Sequence, residues 1–203
     1  MITAPHGDFD EKTGEIVWQF CQEIHWDCLI VEGFRKVDVP INVNRPTEGV
    51  KRAETLFTQR AAVVYAKYLK KIRKINKSLR LYVEIHGNSK KSVKNRIEIA
   101  TSGISYEQAQ RIEKILKDAL EEAGFGKITV KIDVLDEIYY KAPHTRNFGV
   151  MSFINPALHF EFPYSMRTRH RKKTQKFLKK ALMEVVRSEF SPKDEETVSN
   201  KFE

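Results

Sequence analysis

At 203 residues with 41% apolar and 31% charged residues, the chain has the size and composition of one globular domain with an ordinary core. No stretch reaches the roughly 18 apolar residues that a membrane-spanning helix needs, and MITAPHGDFD lacks the basic and apolar regions of a secretory signal, so a cytoplasmic protein is expected. The net charge of +9 admits nucleic acid, an anionic membrane or a small anionic substrate as partner, and the motifs must decide among them.

Residues 1–4 read as a short strand running into Pro5. Ile16, Val17, Phe20, Cys21 and Ile24 recur at helical spacing, so 13–24 is expected as an amphipathic helix. CLIV at 28–31 is a buried strand. Cys21 and Cys28 sit in apolar company and are expected as two buried thiols. A loop follows over 33–49, then a long helix over 51–75. LRLYVEIH (79–86) and RIEIA (96–100) read as strands. The next helix, 105–123, carries Ile112, Ile115, Leu116, Ala119 and Leu120 on one face and is stopped by Gly124 and Gly126. ITVKIDV (128–134) alternates as a half-buried strand. Residues 136–147 are irregular, 158–162 is a strand, and 166–190 is a final amphipathic helix. Residues 191–203 form a polar tail. Strands and helices alternate, which predicts one α/β domain over 1–190, with a mixed, largely parallel sheet flanked by helices.

In such sheets, sites lie beyond the carboxyl ends of the strands. Four polar segments fall there: APHGDFD, FRKVDVPINVNRP, HGNS and EFPYSMR. His6 is followed by Asp8, Asp10 and Glu11, and His86 ends a later strand. Two histidines and an acid, with water in the fourth place, are what a catalytic zinc takes. Glu84 lies two residues before His86 on the same strand face, where it can hold the other ring nitrogen. Glu161 is the only acid in its strand and suits a general base, with His159 sharing its face. Arg45 offers a planar fork to a carboxylate, and Arg35 can steady an oxyanion. His144, Arg146 and Asn147 are candidates for a pocket wall.

These motifs resemble a known family. A-P-H-G (4–7) is similar to the first metal motif of N-formylglutamate amidohydrolases, and N-V-N-R-P (42–46) to their D-x-N-R-P segment. V-E-I-H-G-N (83–88) resembles their D-x-H segment. H-F-E-F-P-Y-S-M-R (159–167) resembles the late strand with the catalytic glutamate. The order is also that of aspartoacylases and zinc carboxypeptidases. The resemblance implies a zinc-peptidase-like α/β fold and one Zn2+ per chain held by His6, an acid and His86. It implies Glu161 as base, Arg35 at the oxyanion, and Asn44 and Arg45 on the substrate carboxylate. Arg167 then orders the pocket or binds an anionic group. The acid stays open among Asp8, Asp10 and Glu11. Asp10 is favoured because Asp10-x-x-Thr13 resembles the family's D-x-x-T. Carboxypeptidases place this acid where Phe9 stands, Asn42 and Glu84 replace aspartates, and the chain is shorter than typical members.

The expected function is zinc-dependent hydrolysis of an amide in a small anionic substrate, such as an N-acyl amino acid or a peptide. The competing readings are an inactive relative and a nucleic-acid-binding protein. The latter rests on the Lys- and Arg-rich run 167–180, with Tyr139, Tyr140 and Phe148 as stacking residues. That run lies on the final helix, whose apolar face is core, so a solvated basic face explains it better. The sequence sets no oligomeric state.

Overall fold

The computed structural model describes residues 1–51, 54–75 and 79–191, and nearly all of the expected polar tail lies outside them. In chain order the elements are β1 (Ile2–Ala4), α1 (Thr13–Ile24), β2 (Cys28–Ile30), β3 (Ile41–Asn42), β4 (Thr47–Glu48), β5 (Leu56–Phe57), α2 (Gln59–Ile75) and β6 (Tyr82–Asn88). They continue with β7 (Arg96–Ser102), α3 (Tyr106–Glu122), β8 (Thr129–Ile132), α4 (Pro143–Phe148), β9 (Ala157–Pro163), α5 (Tyr164–Arg167) and α6 (Arg171–Glu189).

Six strands make one sheet in the order β2-β1-β6-β9-β7-β8. The neighbours β2, β1, β6 and β9 run parallel, and β9 meets β7 antiparallel, with Glu161 opposite Glu98. The expected α/β class with a mixed, mostly parallel sheet is therefore the observed one. The inversion of β7 has a consequence for the site. It brings the start of β7 to the same edge as the carboxyl ends of β6 and β9.

Both faces of the sheet are covered. On one face Ile2, Val83, Ile85, Phe160 and Phe162 pack against Phe20, Ile112, Leu116, Phe177 and Leu182 of α1, α3 and α6. Burying each such side chain contributes about 1.5–3 kcal/mol. On the other face Tyr82 and Ala157 pack under Tyr65, Tyr68 and Ile72 of α2. β3, β4 and β5 form a separate three-stranded sheet beside α2.

Several expectations are corrected. The loop 33–49 contains β3 and β4, and α2 starts at Gln59 rather than at 51, because Leu56 and Phe57 pair with Glu48 and Thr47. Thr58 caps α2, its hydroxyl accepting from the Ala61 N–H at 3.2 Å. The irregular stretch before Asn147 holds α4. The final helix breaks at 168–170 into α5 and α6, and the Thr174 hydroxyl bridges the break by donating to the Met166 carbonyl at 2.7 Å. Cys21 and Cys28 are joined as a disulfide, not free thiols. His25, left-handed at φ 56°, reverses the chain after α1 and brings the two Cα atoms to 6.3 Å. Disulfides persist in oxidising compartments, so the two cysteines lend no support to a reducing cytoplasm. Among the described residues, no helix is long and apolar enough to cross a membrane.

Candidate metal centre and cleft

His6 stands two residues past β1, and the Asp10 N–H donates to its carbonyl at 2.8 Å. That turn puts Asp10 over His6 with the four-residue spacing of a helical turn. Asp10 is buried, whereas Asp8 and Glu11 point outward; Asp8 pairs with Lys36 at 2.7 Å. Asp10 Oδ2 lies 3.4 Å from His6 Nδ1 and 3.0 Å from His86 Nδ1. His86 sits inside β6 rather than at its end. The donor atoms of His6, Asp10 and His86 lie within 4.8 Å of one another, so this buried group could hold a metal ion. Adjacent donors around a tetrahedral zinc at ~2.0–2.1 Å would be ~3.3–3.4 Å apart, close to the spacing seen. Both imidazoles turn Nδ1 toward the Asp10 carboxylate.

Glu84, at the centre of β6, supports this group from below. Its Oε2 accepts from His159 Nδ1 at 2.8 Å, His86 Nε2 at 3.2 Å and Asn44 Nδ2 at 3.1 Å, and its Oε1 accepts from the Tyr82 hydroxyl at 2.9 Å. Burial alone would push Glu84 up, but the bonds from His159 and His86 hold it well below the usual carboxylate range. Asp10 behaves alike: burial opposes its charge, and the bonds to His6 and His86 outweigh that. Burial pushes His86 down, yet Asp10 and Glu84 on its two nitrogens raise it to about 9. His6 falls to about 3, through burial and then the nearby Arg35. Without a metal, then, His86 is a cation between two carboxylates and His6 is neutral.

His159 is the member that sequence reasoning did not assign a role. It stacks on His86 with ring centroids 4.1 Å apart, and it links Glu84 to Glu161, whose Oε1 is 3.4 Å from His159 Nε2. Its signal was available: in the wholly buried β9, the polar residues His159 and Glu161 alternate onto one face. Glu161 is opposite His86 in the parallel register of β6 and β9, and its buried Oε2 has no partner among the described residues.

The arginines differ. Arg35, with φ 60°, places Nη1 at 3.2 Å from His6 Nδ1 and lies over the Phe9 ring at 4.8 Å. Arg45 is half-buried, its Nε donating to Thr47 Oγ1 at 3.2 Å, and burial lowers it to about 10, so it stays charged at neutral pH. The Asn44 amide nitrogen donates to Glu84 at 3.1 Å. Arg167 is buried and donates to four backbone carbonyls, of Phe162, Asp10, Glu11 and Asn88. It thereby ties the His6–Asp10 turn to β6 and β9. Gly87 makes room for it: a Cβ there would run into the guanidinium. In the basic run 167–180, Arg171, Lys179 and Lys180 are paired with Glu15, Glu23 and Glu122. Phe148, a proposed stacking residue, packs on Phe57.

His6, Asp10, His86, His159 and Glu161, with Arg35 and Arg45, open on one cleft of about 830 Å3, walled on the far side by residues 139–145. The fold and the site together define an α/β chain with a buried histidine–aspartate–histidine group at the carboxyl edge of its sheet. No protein-family model matches the chain, nor does any curated protein. Among solved structures it is similar to the CwlD amidase of Clostridioides difficile, determined in complex with the GerS lipoprotein, at 15% identity over 92% of this chain and 96% of that one, with a TM-score of 0.45. It is also similar to the N-acetylmuramoyl-L-alanine amidase AmiC2 of Nostoc punctiforme (11%; 89% and 92%; 0.41) and to carboxypeptidase A of Helicoverpa armigera (10%; 86% and 50%; 0.43). Likenesses this distant say nothing of chemistry, which rests on the side chains above.

Proposed function

We propose that the protein is a zinc-dependent amidohydrolase of the N-formylglutamate amidohydrolase-like kind, cutting an amide bond in a substrate that carries a carboxylate, such as an N-acyl amino acid or a peptide. The observation that carries this reading is the register of β6 and β9. It sets Glu161, whose Oε2 has no partner among the described residues, beside His86, and both line the cleft that holds Arg45.

His6, Asp10 and His86 would hold the metal. When bound, zinc supplies the Lewis acidity that makes water a nucleophile near neutral pH. Glu161 takes the proton of the attacking water and delivers it to the leaving nitrogen. His159, 3.4 Å from Glu161, restrains that carboxylate. Arg45 holds the substrate carboxylate with its guanidinium, of which only Nε is engaged among the described residues. Arg35 lies close enough to His6 to stabilise the negative charge that develops on the amide oxygen. Asn44 orients Glu84 instead of touching the substrate.

The test is a panel of N-acyl amino acids with the zinc-loaded protein and its Glu161→Gln variant. The variant is expected to lose roughly 10²–10⁴-fold in kcat while keeping its metal, the range of a general acid–base group. Equal turnover by the two proteins refutes the assignment.

A further inference from the structure

The cleft lining carries four Lys or Arg side chains against two carboxylates, Asp10 and Glu161. Lys90 and Lys141 line it together with Arg35 and Arg45, and neither lysine has an ion pair among the described residues. The wall of residues 139–145 that carries Lys141 and meets Lys90 is built. The Lys90 ammonium sits 3.5 Å above the Tyr139 ring, an arrangement that fixes the end of a flexible side chain. The backbone N–H groups of Tyr139 and Tyr140 donate to Glu98 Oε2 at 3.1 and 3.0 Å. Glu98 is fully buried in β7 and paired with Arg96 at 2.6 Å. The antiparallel turn of β7 is what puts this tether at the active edge of the sheet.

The sheet gives the spacing. Arg45 follows Asn44, which is tied to Glu84 of β6, whereas the wall carrying Tyr139 is tied to β7. β9, with Glu161, runs between them. Two strand spacings separate the anchors, ~10 Å. A substrate whose carboxylate rests on Arg45 and whose amide lies over Glu161 therefore extends its acyl group toward Lys90 and Lys141.

We infer that Lys90, braced on Tyr139, and Lys141 form a second anion subsite, so that the substrate carries negative charge on both sides of its amide: an amino acid acylated by a dicarboxylic acid. This rests on the amidase reading for which side is the acyl side.

The test compares N-glutaryl-L-alanine with N-pentanoyl-L-alanine, which has the same length and lacks the second carboxylate. Binding to the zinc-loaded Glu161→Gln variant is measured by titration calorimetry, with and without Lys90→Gln and Lys141→Gln. The glutaryl compound is expected to bind about tenfold more tightly, since two partly exposed ion pairs are together worth about that factor. The two lysine substitutions should bring the ratio to near one and leave the pentanoyl compound unchanged. A ratio near one before substitution, a ratio that survives it, or no binding of either compound overturns the subsite. Hydrolysis by the unsubstituted protein is scored separately. If neither compound is cut but the binding ratio behaves as stated, the amidase reading fails and the anion subsite stands.

Discussion

Glu84 is the residue whose replacement reports most on this architecture. In Glu84→Gln the carbonyl can take the place of Oε2 and keep the bonds from His159, His86 and Asn44. The new amide then faces the Tyr82 hydroxyl, which can turn its hydrogen to Tyr68, 3.1 Å away. Hydrogen bonding thus survives, and what is lost is the charge opposite the His86 cation. Breaking a buried ion pair costs about 3–5 kcal/mol, and the preserved bonds place this case near 3. For a chain of this size that corresponds to a fall in Tm of roughly 6–12 °C. The assay is thermal unfolding of the metal-free protein across pH. The sign follows from His86, raised to about 9: its contribution is complete below about 6.5 and is lost as pH rises through about 9. The penalty should therefore be largest near pH 6–7 and shrink by pH 10. A fall of less than about 2 °C at pH 7 would refute the claim that Glu84 is an ionised partner of His86.

Two further outcomes follow from the same geometry. Because His86 must give up a proton to bind metal and His6 is already neutral, apparent zinc affinity should rise about tenfold per pH unit from 7 to about 9 and then level, with close to one proton released per ion; competition with a chelator at several pH values measures this, and a flat profile contradicts the charge on His86. Gly87→Ala should displace Arg167 from the carbonyls of Asp10 and Glu11 and weaken zinc binding by about 10–100-fold, as loss of groups that orient metal ligands does; unchanged affinity contradicts the bracing role of Arg167.

Much of this arrangement was legible in the sequence because it depends on residue type at strand ends. His6 with its acids, His86 and Glu161 all follow or occupy apolar runs, and topology brings such positions together. The choice of Asp10 over its neighbours depends on a turn, closed by the Asp10 N–H on the His6 carbonyl, that no periodicity reveals. The resemblance implied Asn44 as a ligand for the substrate carboxylate, and only the fold shows its amide nitrogen donating to Glu84. Arg167 belongs to a cationic run, and its burial could not be read from composition. The edge pairing of β5 overrode the apparent helix before Gln59, since Leu56 and Phe57 satisfy either period. The tether from Glu98 to residues 139 and 140 left no signal, because there it meets backbone N–H groups some 40 residues away, which any sequence supplies.

The central claim is that His6, Asp10 and His86 form one metal site. Elemental analysis of the protein and of its His86→Ala variant, after loading with zinc and removal of the excess, tests it most directly. One zinc per chain is expected in the protein and far less in the variant, with the variant still folded by circular dichroism. No zinc in the unsubstituted protein, or equal zinc in both, would contradict it.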